Sequence, residues 1–210
     1  APGLFADPVR FGERYRKPIE SGSDPAALAR LHRRVRPLML RRTKETVAAE
    51  LPEKQEQVLS IELSPGHRRL YDRQLAAERK KVLGLVDDMT RNRITILAAL
   101  TTLRQLALSP ALVLPGQAAV SAKIDTLLEL VGELAAEGHR ALVFSQFTGY
   151  LGLVRNRLNA EGIGYAYLDG RTRDRAARIQ KFRDGDDPVF LISLKAGGFG
   201  LTLTEADYVF

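Results

Sequence analysis

The sequence contains no cysteine, which excludes disulfides and cysteine-ligated zinc and agrees with a reducing compartment. Histidine is scarce. His32, His67 and His139 stand far apart in no metal-ligand spacing, so they read as surface or helix residues and no metal site is expected. Long apolar runs are missing too: no stretch approaches the roughly 18 uncharged apolar residues of a membrane span. The stretch APGLFADPVRF does not have the basic-then-apolar layout of a signal peptide. A membrane is therefore not an expected partner, and the cytoplasm is the expected location. There is no G-x-x-x-x-G-K-[ST] loop, so nothing in the chain cradles nucleotide phosphates by itself. No Asp-Glu pair follows a buried-strand run to hold magnesium, and Asp87 and Asp88 fall in a charged helical stretch where solvation is expected. Neither a Ser-His-Asp set nor a carboxylate pair occurs in a usable arrangement, so no catalytic residue is assigned to the chain.

What is present is ordinary globular material with an uneven charge. Of 210 residues, 45% are hydrophobic and 27% charged, enough to fill a core and to cover it. The net charge is +7, and its distribution matters more than its total. Residues 1–110 hold 21 Lys and Arg against 13 Asp and Glu, whereas residues 111–210 hold 11 against 12. A basic half joined to a neutral half points to a polyanion at one end, although solvated helix faces would give the same imbalance.

The chain reads as three segments. The first, 1–56, is helical and basic. After the breaker at 21–25, Asp24 suits a cap and Pro25 the first helical position, opening a helical run from Ala26 to about Leu40 that Pro37 interrupts. Leu28, Leu31, Val35 and Leu38 would face inward, with Arg30, Arg33, Arg34, Arg36, Arg41, Arg42 and Lys44 outward. In the second segment, 57–120, Gln57–Leu63 has the look of a short strand. A long helix follows from SPG at 64–66, with Leu70, Leu75, Val82 and Leu85 as core positions, then a second from about Ile94 to Leu108. Residues 111–120, centred on Pro115 and Gly116, form a linker.

The third segment, 121–210, changes pattern. Ser121 suits the cap of a helix ending at Gly138. Apolar runs at Ala141–Phe144, Tyr165–Leu168, Val189–Ser193 and from Tyr208 are separated by single helices, one of them from Thr148 to Ala160. Strands without polar alternation, spaced by helices, indicate an α/β fold with a parallel sheet buried on both faces. Ligands of such sheets bind beyond the strands' carboxyl ends. Three stretches there carry groups suited to a phosphodiester backbone: Ser145 and Gln146; Arg171 and Thr172; and Lys195, Ala196 and Gly197 with Gly200 and Thr202. Plain strand-to-helix turns remain the alternative for any one of them.

These residues resemble the Swi/Snf-type DNA-dependent ATPases of helicase superfamily two, the bacterial members most closely. ALVFSQF at 141–147 resembles the family's motif IV, YLDGRT at 167–172 with Arg175, Ile179 and Phe182 the segment after it, and 191–210 motif V. Upstream, 39–47 and LPEK at 51–54 resemble the inter-lobe segment, and Leu103, Arg104, Gln105 and Pro110 the end of the helical insertion, or protrusion. The resemblance implies a RecA-like second helicase lobe, with an N-terminal helical segment and a helical insertion. It would clamp ATP and Mg2+ against a missing first RecA-like lobe and grip double-stranded DNA.

Carried over by position, Ser145, Gln146, Arg171, Thr172, Lys195, Ala196 and Gly197 would meet DNA, and Gly200 and Thr202 the nucleotide. Thr202 departs from the family's usual Asn. The chain stops at Phe210, before the family's arginine fingers, and such a finger is worth roughly 10³–10⁵ in rate. The expectation is a DNA translocase or remodeller lobe, nucleoid-associated and inactive alone. An orphaned binding module and an RNA helicase lobe are the other readings.

Overall fold

The computed structural model describes Phe5 and residues 7–40, 55–84, 89–197 and 201–210. The expected basic residues Arg41, Arg42 and Lys44, the break at 51–54, and Leu85, Asp87, Asp88 and Gly200 lie outside those residues. The chain divides into two compact units, 1–58 and 59–210.

In the first unit, helix α1 (Pro8–Phe11) continues through a π-helical turn (Gly12–Arg16) into α2 (Lys17–Ser21). Asp7 caps the start, its carboxylate accepting from the Val9 N–H at 2.9 Å. Gly22, at φ 68°, ends the run in the left-handed conformation that glycine adopts without cost. Tyr15 is buried against Phe5 and Phe11, with ring centroids 5.7 and 5.6 Å away. Helix α3 (Ala26–Val35) opens as the sequence predicts: the Asp24 carboxylate accepts from Ala26 N–H at 2.9 Å and pairs with Arg30 at 2.5 Å. That bond to Arg30 holds the Asp24 carboxyl below its ordinary value. The inner stripe of α3 differs from expectation. Ala27 is buried and Leu31 and Val35 are half-buried, four residues apart, whereas Leu28 and Leu38 are 46% and 57% exposed. The helix stops at Val35, one turn before the predicted end, because Pro37 cannot extend it.

The second unit starts without the strand expected over Gln57–Leu63. Residues 55–64 have no regular structure, and Val58 is 90% exposed. No partner strand reaches them among the described residues, and without one no ladder of backbone hydrogen bonds forms. Helices α4 (Pro65–Leu83) and α5 (Met89–Leu106) then pack as a pair. Of the predicted core positions, Leu70 and Val82 are half-buried, but Leu75 is 39% exposed. His67, expected as a surface or helix residue, is a helix residue buried in the seam, with Nε2 2.6 Å from the Leu106 carbonyl. A 3-10 turn (Pro110–Leu112) leads to the linker.

From Ser121 the chain builds a three-layer α/β sandwich. The Ser121 hydroxyl caps α6 (Ala122–Ala136), accepting from Ile124 N–H at 3.3 Å, and also bonds Tyr150. Strand β1 (Ala141–Ser145), helix α7 (Thr148–Ala160), strand β2 (Tyr165–Leu168), helix α8 (Arg175–Asp184) and strand β3 (Val189–Ser193) follow. A short helix α9 (Leu194–Gly197) and strand β4 (Tyr208–Val209) complete it. The sheet order is β2-β3-β1-β4, and every pairing is parallel. Alternate strand residues feed two cores. Val143, Val189 and Leu191 meet Ile124, Leu128 and Val131 of α6 and Leu151, Val154 and Leu158 of α7. Leu142, Ala166, Leu168, Phe190 and Ile192 meet Phe182 of α8 and Ala196 of α9 on the other face. Both faces are covered, which is why these strands show no polar alternation.

Candidate nucleic-acid interface

Strand register decides which loops meet. Ser145 stands beside Ser193, and Leu168 beside Ile192, so β1, β2 and β3 end level with one another. The loops after them therefore share one edge, in the spatial order 169–172, 194–197, 145–147. Seven of the nine predicted site residues come together here: Ser145, Gln146, Arg171, Thr172, Lys195, Ala196 and Gly197.

Each loop is shaped by its own side chains. At the first, the Ser145 hydroxyl accepts from Phe147 N–H at 3.1 Å, turning the chain into α7 and leaving Gln146 exposed. At the second, Asp169 is the organiser, and sequence reasoning missed it. One carboxylate oxygen accepts from Arg171 N–H at 2.9 Å and the Thr172 hydroxyl at 3.1 Å, while the other accepts from the Tyr167 hydroxyl at 3.0 Å. Asp169 N–H in turn donates to the Thr172 hydroxyl at 3.0 Å. Burial pushes the Asp169 carboxyl up, but the donors from Arg171, Tyr167 and Thr172 outweigh it and hold the group below its ordinary value. The signal was available in the spacing: an Asp followed by Gly and by a hydroxyl three positions on is a turn signature. Thr172 is thus spent on its own loop, and the exposed Arg171 is the group offered outward.

At the third loop, Lys195 is exposed and Ala196 is 2% exposed. Arg175, from the first turn of α8, donates to the Ala196 carbonyl at 2.5 Å and fixes the loop from below. Gly197 is required for packing. A Cβ there would lie 2.7 Å from a Phe144 ring carbon and 3.1 Å from an Ile192 methyl. Among the described residues no ion pair engages Arg171 or Lys195.

Thr202 does not join this edge. Its carbonyl accepts from Arg183 in the last turn of α8, whereas Ala196 is bonded to Arg175 in the first. Eight residues of helix separate the two anchors, about 12 Å at the helical rise. Gly200 lies outside the described residues. Among the described residues no group of His, Cys, Asp or Glu is placed to hold a metal, and none of the described helices is long and apolar enough to cross a membrane.

Comparison with known proteins bears on the family and the fold. The family described as SNF2-related domain matches residues 1–112, and the helicase conserved C-terminal domain matches 122–210. YwqA of Bacillus subtilis is 35% identical over 218 aligned positions, covering 99% of this chain and 23% of that protein. Chromodomain-helicase-DNA-binding protein 1-like of Danio rerio is 37% identical over 203, covering 89% of this chain and 19% of that protein. The Sulfolobus solfataricus SWI2/SNF2 ATPase core domain superimposes with a TM-score of 0.62 at 30% identity, over 99% of this chain and 44% of that one. The same core in complex with dsDNA gives 0.61 at 28%, over 99% and 45%. The chain spans a quarter or less of each of these curated relatives.

Proposed function

Because the chain belongs to the Swi/Snf-type, SNF2-related family of ATP-dependent helicases, we propose that it serves as the second RecA-like lobe of a double-stranded DNA translocase. In this reading the level carboxyl edge of β1, β2 and β3 is the DNA face. The observation that carries it is the convergence of three loops with two exposed cations, Arg171 and Lys195, that have no ion pair among the described residues. Arg171 is presented by a turn that Asp169 braces, and Lys195 by a loop that Arg175 pins, so the backbone beneath each cation is already ordered. Ser145 and Gln146 add neutral donors beside them, suited to phosphate oxygens and carrying no sequence preference.

ATP and Mg2+ belong to the longer protein in this proposal. This lobe would add Gly200 and Thr202 to a cleft whose phosphate loop and acidic pair come from a first RecA-like lobe, its partner. The chain by itself is then a DNA-binding lobe without turnover, cytoplasmic and nucleoid-associated. ATP hydrolysis by the purified chain would overturn that part.

The DNA face has its own test. Replacing Lys195 by Ala should weaken binding to duplexes of every sequence alike. It should also flatten the dependence of log K on log salt by about 0.9, the share of one lost phosphate contact. Arg171→Ala should do the same. Unchanged slopes in both variants would remove the edge from the DNA face.

A further inference from the structure

Among the described residues strand β2 ends the sheet: β3 pairs with it on one side and no strand on the other. Along that free flank runs a groove of about 770 Å³, walled by α7, β2, the 169–174 loop and the start of α8. Four arginines line it. Arg155 of α7 lies with its guanidinium carbon 4.5 Å from the Tyr167 ring centroid and 5.8 Å from that of Tyr165. Its Nε donates to the Tyr165 hydroxyl at 3.4 Å, which engages one of five N–H groups. Arg171 and Arg173 come from the loop and Arg178 from α8; all three are exposed, and among the described residues none is in an ion pair.

The groove's three carboxylates offset part of this charge, and Asp169 acts on Arg155 directly. Asp169 accepts three hydrogen bonds from its own turn. Asp174 caps α8, accepting from Ala177 N–H at 2.9 Å. Asp187 sits 3.9 Å from Lys181. Four guanidinium groups against three carboxylates leave the lining positive, and Arg171, Arg173 and Arg178 are exposed. Guanidinium forks suit phosphate oxygens better than any other charged side chain does. An added peptide strand is the poorer occupant, because β2 offers only four residues for pairing.

We infer that this groove is a second phosphate track, in which Arg155, Arg173 and Arg178 take backbone phosphates of the duplex next to those held on the carboxyl edge. This rests on the reading of that edge as a DNA face, since Arg171 and Thr172 belong to both surfaces. It widens the lobe's grip from the top of the sheet to its side.

The test compares two lesions in the chain: Arg173→Ala with Arg178→Ala in the groove, and Lys195→Ala on the edge. Binding of a short blunt duplex is measured against sodium chloride, with thermal melts confirming that the variants fold. The groove double variant should flatten the salt slope by up to about 1.8, two phosphate contacts, and a double Arg→Lys variant should retain most of the slope because charge is kept. A wild-type slope in the groove double variant, beside a flattened one in Lys195→Ala, overturns the second track and leaves the edge standing. Wild-type slopes in both remove the edge reading and the groove with it. Loss of polyglutamate binding by the groove variant, with its DNA slope unchanged, would assign the groove to an acidic peptide and also overturn the track.

Discussion

The helix pair and the sheet, both within residues 59–210, solve the same problem in different ways. In the sheet, β3 is buried along its whole length, with Phe190, Leu191 and Ile192 at 0% exposure. Helices α6 and α7 cover one face and α8 the other. The pair α4 and α5 buries little more than a seam: His67, Glu78, Ala99 and Leu106 are the buried residues among those described. Ile94, Leu97 and Leu100, three apart on α5, remain 82%, 52% and 50% exposed. The sheet half therefore stores its stability in packing, and the helix pair presents surface. The charge follows the same division, the basic excess lying in residues 1–110.

The sharpest way to break this comparison is to cut one large side chain from each region. Phe182 is fully buried, 4.8 Å from the Phe190 ring centroid and with the Arg140 guanidinium 3.9 Å over its own ring. Phe182→Ala should cost about 3–5 kcal/mol, from the lost transfer energy and the cavity left behind. Ile94→Ala should change stability by no more than about 0.5 kcal/mol. Urea denaturation of the two variants measures both. Comparable losses would show that the α5 face is covered in solution and that the two regions are not the contrast described.

The same contrast explains what the sequence revealed. Tyr165–Leu168, Val189–Ser193 and Thr148–Ala160 are found with the predicted bounds, because a strand buried on both faces is a contiguous apolar run and its helices carry their own stops. Ser121 caps α6 as read, and Gly138, at φ 81°, closes it. Gln57–Leu63 also carries Val58, Leu59, Ile61 and Leu63, but composition cannot tell a segment whether a partner strand will arrive. Seven of nine site residues converge because parallel register puts carboxyl ends level. Thr202, expected at the nucleotide and not at DNA, has its carbonyl bonded to Arg183 in the last turn of α8. Arg155 reaches the Tyr167 ring and Arg175 the Ala196 carbonyl across distances that no local pattern encodes, whereas the Asp169 turn is local and its spacing carries the signal.

A glycine pair sharpens the picture at intermediate cost. Gly197→Ala drives a methyl to within 2.7 Å of Phe144 and should destabilise by about 1–3 kcal/mol, an overpacking penalty. Gly132, in the middle of α6, has open space where a Cβ would go. Gly132→Ala should therefore stabilise by about 0.5–1 kcal/mol, since alanine loses less freedom in a helix. Thermal melts of both variants decide the matter. Equal tolerance at the two positions would mean that the Lys195 loop is not packed on the sheet, and the rigid presentation of its cation would fall.

The smallest expected effect concerns the turn that presents Arg171. Asp169 is held below the ordinary aspartate value, about 3.9, because the donors of its turn outweigh its burial. A carboxyl depressed on folding contributes stability that is complete above the unfolded value and is lost as pH falls through the folded one. The turn should therefore be unaffected from neutral pH down to about 4, and should loosen only in stronger acid. A carboxyl-carbon NMR titration should place the Asp169 midpoint below the ordinary value, and Tyr167→Phe, which deletes one donor, should move it back upward. The groove and the edge meet at this residue, since Tyr167 carries Arg155 on its ring and donates its hydroxyl to Asp169. If Tyr167→Phe leaves the midpoint where it was, that hydroxyl does not brace the turn, and the two surfaces are joined by sequence alone.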